Sequence, residues 1–316
     1  MSEKEALQPQ LQEYRDFEHL EFFARKVVEG FITGLHRSPF HGFSVEFSEH
    51  RVYNPGESTR HIDWKLYGRT DRLYTKRYEE ETNLRCQLVL DTSGSMFYPW
   101  ERRHNLAQPH KMLFSTVSAL ALMNLFRKQR DAVGLSLFGN RQLHTNQRST
   151  RQHHRALTAE LHKVLAGYDP PQVPQATMAE QLHLLAQQMP RRSVILIFSD
   201  LYDALENEEA FWDALQHLQH GKHEVVLFWT TDRATELDLD FENRPYRFVD
   251  METGQEFKFN PQEVRKEYRE RTEAFRKRLN EKSLQYRLEW VEADVSEGYQ
   301  SVLQSYLTQR KKRVKY

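Results

Sequence analysis

The chain has 316 residues, and its contents of 39% hydrophobic and 28% charged residues are typical of a globular protein rather than a disordered one. Its 45 basic and 45 acidic residues balance, so no global charge favours nucleic acid or an anionic membrane as a partner. The single cysteine, Cys86, excludes an internal disulfide and favours a reducing, cytoplasmic compartment. The polar start of the chain predicts no signal sequence, and no apolar stretch is long enough to predict a membrane span.

Residues 1–82 are predicted to form an N-terminal segment of their own. Residues from about 10 to 36 carry apolar side chains on one helical face, which predicts a helix, and a strand-rich stretch follows from about 40 to 82. In that stretch Phe43, Val45 and Phe47 alternate with polar residues, as in a half-buried strand. Because Trp64 is large and amphipathic, we expect it to be mostly buried against the α/β domain.

Residues 83–316 alternate between strand and helix patterns, which predicts an α/β domain with a mainly parallel sheet flanked by helices. The predicted strands are Arg85–Asp91, Ala132–Phe138, Val194–Phe198, Glu224–Trp229 and Tyr286–Val291. The predicted helices are 105–129, 150–167, 178–189, 204–219, 261–282 and 297–310. Residues of about 232–259 interrupt the alternation with two short strand patterns around a glycine, and we interpret them as a β-hairpin insertion.

The first candidate site lies at the end of the first strand of this domain. The apolar run Leu88–Leu90 ends in Asp91, and two hydroxyls, Ser93 and Ser95, follow at spacings of two and four. A loop at the carboxyl end of a parallel strand can turn such oxygens toward one point, and open α/β sheets place their ligand sites there. Oxygen ligands of this kind suit a hard cation, Mg²⁺ or Mn²⁺.

Two further loops could supply oxygens at the same edge of the sheet. Asp200 ends the apolar run 194–198, and Thr177 precedes the helix pattern that starts at residue 178. Each residue has a plainer interpretation, since Thr177 with Glu180 makes a capping box and Asp200 could cap the following helix. Both interpretations stay open on the sequence.

The set Asp91, Ser93, Ser95, Thr177 and Asp200 resembles the metal-ion-dependent adhesion site of the von Willebrand factor A fold, with every position filled. The resemblance implies a Rossmann-like α/β fold and a Mg²⁺ held by hydroxyls and water-bridged carboxylates. It also implies one open coordination position, which an acidic side chain of a protein partner would fill.

A second resemblance covers the segment from Phe47 to Arg69. It is similar to the signature of the bacterial "domain of unknown function 58" family, with Glu57 where aspartate is commoner and Gly68 where alanine is commoner. The matching positions are Phe47, Glu49, Arg51, Tyr53, Pro55, Gly56, Arg60, Ile62, Asp63, Trp64 and Arg69. Members of that family are typically encoded beside MoxR-type AAA ATPases, which implies such an ATPase, or its client, as a partner. The polar residues of the segment could form an ion-pair network or a docking surface.

Two functions follow as hypotheses. The favoured one is a non-catalytic, metal-dependent protein-interaction module, because the sequence shows no catalytic constellation. The alternative is a metal-dependent, phosphatase-like hydrolase, which would use Asp91 as nucleophile and need a second aspartate two residues on. Ser93 stands there instead, and the chain has no P-loop motif.

Overall fold

The computed structural model describes residues 19–29, 49–53, 59, 62–77, 84–166, 176–286 and 288–313. The chain forms two compact units, which we call the small unit (residues 40–84) and the α/β unit (residues 1–39 and 85–316). The boundary at residue 84 lies close to the predicted division. The helix at 19–29, however, groups with the α/β unit rather than with the strands of the small unit.

The small unit contains an antiparallel strand pair and one short helix. Strand β1 (Glu49–Val52) pairs with β2 (Tyr74–Arg77), and helix α2 (Trp64–Thr70) begins at Asp63, whose carboxylate accepts the backbone N–H groups of the first turn. The prediction that Trp64 is mostly buried is wrong, since 63% of its surface is exposed. The seven-residue helix buries none of its side chains, and the Trp64 ring lies edge-on to the ring of Tyr67. The predicted strand at Phe43–Phe47 and the side chains of the suggested ion-pair network at 51 and 60 lie outside the described residues.

The α/β unit is organised around a six-stranded sheet with the order β10-β7-β6-β3-β4-β5. Its strands and those of a separate hairpin are β3 (Arg85–Asp91), β4 (Ala132–Phe138), β5 (Leu143–His144), β6 (Val194–Ser199), β7 (Glu224–Thr231), β8 (Tyr246–Val249), β9 (Glu256–Phe259) and β10 (Glu289–Asp294). All neighbours in the sheet are parallel except β4 and β5. The predicted fold class, a mainly parallel α/β sheet, is confirmed.

Helices cover both faces of this sheet, which explains why its strands are continuous apolar runs. The described helices of the unit are α1 (19–29), α3 (Lys111–Lys128), α4 (Arg151–Leu165), α5 (Met178–Gln188), α6 (Tyr202–Glu206), α7 (Glu208–His220), α8 (Pro261–Gln285) and α9 (Tyr299–Arg313). Alternate side chains of β6 face opposite sides of the sheet. Ile195 and Ile197 face the side that α5, α7 and α8 cover. On the opposite layer Phe114 of α3 stacks on Tyr299 of α9 at 5.0 Å.

Among the element boundaries that differ from the prediction, three have local reasons. Helix α3 starts at 111 rather than 105, because Pro109 precedes it and His110 caps it by accepting the Leu113 N–H at 2.8 Å. The predicted helix 204–219 is two helices, which meet at the non-helical backbone of Asn207. Strand β10 starts at 289 rather than 286, because α8 continues to Gln285.

The predicted insertion is a β-hairpin, as the antiparallel pairing of β8 with β9 shows. A π-helical turn, Arg233–Leu237, precedes it and follows directly on the end of β7. None of the helices in the described ranges has the combined length and apolarity that crossing a bilayer requires.

The order of the strands creates a switch point beside β3. From β3 the chain moves to β4 on one side, and β6, the next strand after β5, returns to the other side of β3. The connections leaving β3 and β6 therefore diverge, and open α/β sheets bind their ligands at the carboxyl ends of such strands. Asp91 and Asp200 stand at those ends.

Candidate metal centre

The carboxyl ends of β3 and β6 bring Asp91 and Asp200 into one buried cluster. Asp91 is 6% exposed and Asp200 is 3% exposed. The Ser199 hydroxyl donates to Asp91 Oδ2 at 2.6 Å, so the last residue of β6 is joined directly to the last residue of β3. Parallel pairing of the two strands therefore places the first and third predicted loops together.

Asp91 accepts hydrogen bonds but has no cationic partner among the described residues. Its Oδ1 accepts the Ser93 N–H at 2.9 Å, and its Oδ2 accepts the Ser199 hydroxyl. Burial and the nearby charge of Asp200 raise the pKa of Asp91 to about 7, against the opposing effect of these hydrogen bonds. An ionised Asp91 is thus costly in this position unless a positive charge comes to it.

The two serine hydroxyls lie side by side at the mouth of this cluster. Ser93 Oγ and Ser95 Oγ are 3.2 Å apart. Adjacent ligands of an octahedral Mg²⁺, with bonds of about 2.0–2.1 Å, lie about 2.9 Å apart. The spacing of the hydroxyls is therefore close to that of two neighbouring ligands of one small cation.

The loop that carries the serines is fixed by the end of β4. The Thr92 N–H and hydroxyl both donate to the Phe138 carbonyl, at 2.8 and 2.6 Å, and the Arg141 N–H donates to the Thr92 hydroxyl at 2.9 Å. Gly139 has φ +87°, and a Cβ there would lie 2.7 Å from the Ser93 nitrogen. Only glycine allows the two loops to approach so closely.

Thr177 forms the predicted capping box at the start of α5. Its hydroxyl accepts the Glu180 N–H at 3.3 Å, and its own N–H donates to Glu180 Oε2 at 2.8 Å. The next residue, Met178, brings its sulfur to 4.0 Å from the Ser199 hydroxyl. The start of α5 therefore lies beside the Asp91 cluster, although no described hydrogen bond joins Thr177 to the other four predicted residues.

Asp200, unlike Asp91, is paired with a buried cation that the sequence did not indicate. Lys111, the first residue of α3, is fully buried and places its Nζ 2.8 Å from Asp200 Oδ2, and it also contacts Glu236 of the π-helical turn. Burial alone would lower the pKa of Lys111, but the carboxylates of Asp200 and Glu236 hold it well above its ordinary value. Lys111 is therefore a permanent positive charge at this end of the sheet.

Glu252 is a second residue that sequence reasoning missed. It lies in the turn between β8 and β9, and its Oε1 accepts the Ser95 N–H at 3.0 Å. Burial raises the pKa of Glu252, the backbone N–H groups of Ser95 and Gly94 oppose that rise, and Asp200 adds to it. The inserted hairpin thus brings a third carboxylate to the loop that carries the two serines.

The turn that presents Glu252 is organised by Asp250. Asp250 Oδ1 accepts the Glu252 N–H at 2.8 Å, and its Oδ2 accepts the Thr253 hydroxyl at 2.6 Å. The neighbouring backbone closes through Gly254, whose N–H donates to the Asp250 carbonyl at 2.8 Å. Glu252 therefore reaches the serine loop from a well-defined turn.

Within the described part of the chain, no three His, Cys, Asp or Glu side chains converge as a metal-ligating group. The candidate centre differs from such a group because hydroxyls supply two of its oxygens. Four carboxyl groups, those of Asp91, Asp200, Glu236 and Glu252, lie near the one ammonium of Lys111, and the pKa values of Asp91, Glu236 and Glu252 are raised above their ordinary values.

Comparison with known proteins places this chain in a family. Residues 49–278 match the family described as "Protein of unknown function DUF58". The chain belongs to the DUF58 family. The match includes both the segment around Trp64 and the loops that carry Asp91 and Asp200.

Curated relatives of the chain are uncharacterized. Proteins of this kind from Mycobacterium bovis and Mycobacterium tuberculosis are each 30% identical over 77 residues. That match covers 24% of this chain and about a quarter, 24%, of the length of each relative.

Solved structures that are similar to the chain match it at low identity and low TM-score. The conserved hypothetical protein BatB from Bacteroides thetaiotaomicron is 14% identical with a TM-score of 0.39, over 73% of this chain and 100% of that one. The PilB minor pilin from Streptococcus sanguinis is 10% identical with a TM-score of 0.39, over 77% of this chain and 64% of that one. At these scores the likeness supports no statement about function.

Proposed function

We propose that this DUF58 protein is a non-catalytic, metal-dependent protein-interaction module of the von Willebrand factor A type. It would bind one Mg²⁺ or Mn²⁺ at the carboxyl ends of β3 and β6. The ion would then bind an acidic residue of a protein partner. The observation that carries the proposal is the pair of hydroxyls of Ser93 and Ser95, 3.2 Å apart beside the buried Asp91.

The chemistry of the donor set fits such a cation. Every candidate ligand is an oxygen, which selects hard divalent ions over zinc or copper. An ionised carboxylate offers about four lone-pair positions. The hydrogen bonds from the Ser93 N–H and the Ser199 hydroxyl use one position on each oxygen of Asp91. Asp91 can therefore accept a cation, or a water bound to one, without losing its present hydrogen bonds.

Lys111 gives Asp91 and Asp200 different roles in the proposed metal site. Because Asp200 Oδ2 is occupied by Lys111 and Asp200 Oδ1 accepts the Tyr202 N–H at 3.3 Å, a water-bridged role suits Asp200 better than direct ligation. The direct ligands would then be the serine hydroxyls, with Thr177 joining them from the start of α5. When bound, the metal would supply a positive centre for a carboxylate.

The von Willebrand factor A assignment is supported by the topology. The strand order, with a short antiparallel β5 at one edge and the candidate site at the switch point beside β3, fits a Rossmann-like domain of this type. The link to a MoxR-type AAA ATPase, or to its client, rests on the resemblance of the upstream segment to the family signature. It is a hypothesis about the partner and is tested separately from the metal.

Glu252 bears on how a partner would gain access. Its carboxylate already lies on the serine loop, so an incoming acidic side chain must share the site with it or displace it. The hairpin that carries Glu252 exposes Val249 and Phe257 to solvent, so a movement of the hairpin would uncover little core.

The first experiment measures metal binding. Mg²⁺ and Mn²⁺ are titrated into the full chain by calorimetry and by thermal unfolding, with Asp91→Ala as the test variant. The exposed Asp213→Ala on α7 is the matched control for loss of one acidic charge. At a hundredfold excess over Kd, binding to the folded state alone adds about 2.7 kcal/mol, and Asp91→Ala should remove it. No rise in melting temperature at millimolar Mg²⁺, with no heat of binding, would contradict the metal site.

The second experiment measures partner binding against a co-encoded MoxR-type ATPase. EDTA and the variants Asp200→Ala and Thr177→Ala should each weaken the affinity more than tenfold, since losing one side of a desolvated charged contact costs about 2–5 kcal/mol. An affinity that EDTA and both substitutions leave unchanged would show that the partner binds outside the candidate metal centre. Turnover of a generic phosphate ester with Mg²⁺ would favour the hydrolase instead.

A further inference from the structure

A polar cavity lies away from the candidate metal centre, between helices α1, α3 and α4. Its volume is about 130 Å³. About 10–15 Å³ on this scale holds one water molecule, so the cavity can take a small polyatomic ligand. It is lined by arginines from all three helices and by buried polar residues of α3 and α4.

The charge around this cavity is strongly positive. Arg25, Arg127, Arg151 and Arg155 line it, and Glu21 is the one acidic side chain among the lining residues. Glu21 is already paired with Arg25 at 2.8 Å. The other three arginines have no ion pair with any residue that the structure describes. Within the described part of the chain, three guanidinium groups around one cavity therefore have no carboxylate paired with them.

His154 gives an independent sign that something polar is missing from the cavity. It is only 4% exposed, lines the cavity, and neither of its ring nitrogens has a hydrogen-bond partner among the described residues. Buried polar groups are nearly always hydrogen-bonded, because leaving one without a partner costs free energy. A ligand with hydrogen-bonding oxygens in the cavity would supply that partner.

The start of α4 also carries an excess of positive charge. The helix begins at Arg151, and His154 and Arg155 follow within its first two turns. The N-terminal end of a helix carries partial positive charge, so basic residues there are unfavourable and a bound anion is favourable. An anion would therefore stabilise both the arginines and the helix end.

We propose that this cavity binds a phosphate group, either as free inorganic phosphate or as the phosphate end of a small phosphorylated molecule. Guanidinium groups bind phosphate oxygens through paired N–H donors, and the converging arginines provide several such pairs. His154 adds a donor or acceptor from the buried side. The site is independent of the metal centre, so failure of either proposal leaves the other standing.

The test is a titration of the full chain at constant ionic strength without divalent metal. Inorganic phosphate, a phosphomonoester such as glycerol phosphate, and ATP are compared by calorimetry and by thermal shift, with sodium chloride as the reference anion. Saturable binding of inorganic phosphate would identify the free ion as ligand. Saturable binding of the organic phosphates alone, or at least tenfold more tightly, would identify the phosphorylated molecule.

Variants decide whether binding occurs in this cavity. Arg127→Gln and Arg151→Gln should each weaken phosphate binding at least tenfold, and His154→Leu should weaken it as well. Lys128→Gln is the matched control, because Lys128 neighbours Arg127 on α3, is exposed and does not line the cavity. The exposed arginine variants are expected to keep the melting temperature of the unliganded chain. The proposal is overturned if no phosphate compound binds saturably, or if Lys128→Gln weakens binding as much as the arginine variants do.

Discussion

The ends of β3 and β6 hold two aspartates of nearly equal burial in different electrostatic settings. Asp200 has an internal cation, Lys111, at 2.8 Å, whereas Asp91 has only hydroxyl and N–H donors. The charge of Asp200 is therefore balanced by the fold, and the charge of Asp91 is left for something else to balance. In the proposed function, this difference favours a metal position at the β3 loop over one between the two strands.

The largest loss of stability is expected from removing the buried cation, Lys111, that distinguishes Asp200 from Asp91. Lys111→Met should destabilise the protein by about 3–5 kcal/mol, because it leaves Asp200 and Glu236 buried without their positive partner. Denaturant unfolding measures the loss. Lys128→Met, at an exposed position of the same helix, should change stability by less than about 0.5 kcal/mol. Equal stability of the two variants would show that Lys111 does not hold Asp200.

The substitution Gly139→Ala should displace the loop after β3 without adding or removing a charged group. Gly139→Ala should cost about 2–3 kcal/mol and abolish Mg²⁺ binding, because the new Cβ meets the Ser93 nitrogen and the backbone has positive φ. Gly254→Ala is the control, since it also has positive φ but has open space around it. It should cost about 1 kcal/mol, from the backbone alone, and the difference between the variants isolates the contact with the loop. If both variants bind Mg²⁺ like the unchanged chain, the position of Ser93 does not matter for the metal.

The strand ends were predictable because the signals are local. Apolar runs that stop at an aspartate define both β3 and β6, and parallel strands bring their carboxyl ends to one edge. The Thr177 capping box was equally visible in four consecutive residues. The fold class, the positions of the long parallel strands and the placement of Asp91 and Asp200 at strand ends follow from such patterns.

The compensating charges were not predictable because they depend on long-range placement. In the sequence Lys111 looks like an ordinary lysine within the predicted helix 105–129. Nothing near it in the sequence indicates that it lies 2.8 Å from a residue 89 positions later. Glu252 lies in a turn whose direction is set by hairpin packing rather than by spacing. Trp64 was wrongly predicted to be mostly buried. A large apolar side chain is buried only where a second element covers it, and this too depends on long-range placement.

Thr177 offers a test of whether its hydroxyl has a second role besides capping. Thr177→Ala should lose about 1 kcal/mol from the missing N-cap and should also weaken Mg²⁺ binding. Thr177→Ser keeps the hydroxyl and should restore both properties. Thr177→Asn separates the roles, because asparagine caps helices well but places its oxygen differently. Unfolding and Mg²⁺ titration of the three variants supply the measurement, and full Mg²⁺ affinity in Thr177→Ala would limit this residue to capping.

The smallest effect on stability is expected at Glu252. Glu252→Gln keeps an oxygen that can accept the Ser95 N–H, although a neutral oxygen accepts it more weakly. The same substitution removes a negative charge that Asp200 repels, so its two effects on stability oppose one another. We expect the free energy of unfolding without metal to change by less than about 1 kcal/mol. Mg²⁺ affinity should fall several-fold, because a negative oxygen beside the serine loop is lost. Glu256→Gln, on the exposed strand β9 of the same hairpin, is the matched control and should leave Mg²⁺ affinity unchanged. If Glu252→Gln instead binds Mg²⁺ as tightly as the unchanged chain, Glu252 only fastens the hairpin to the loop, and Asp91 with the serines must supply the charge and the ligands.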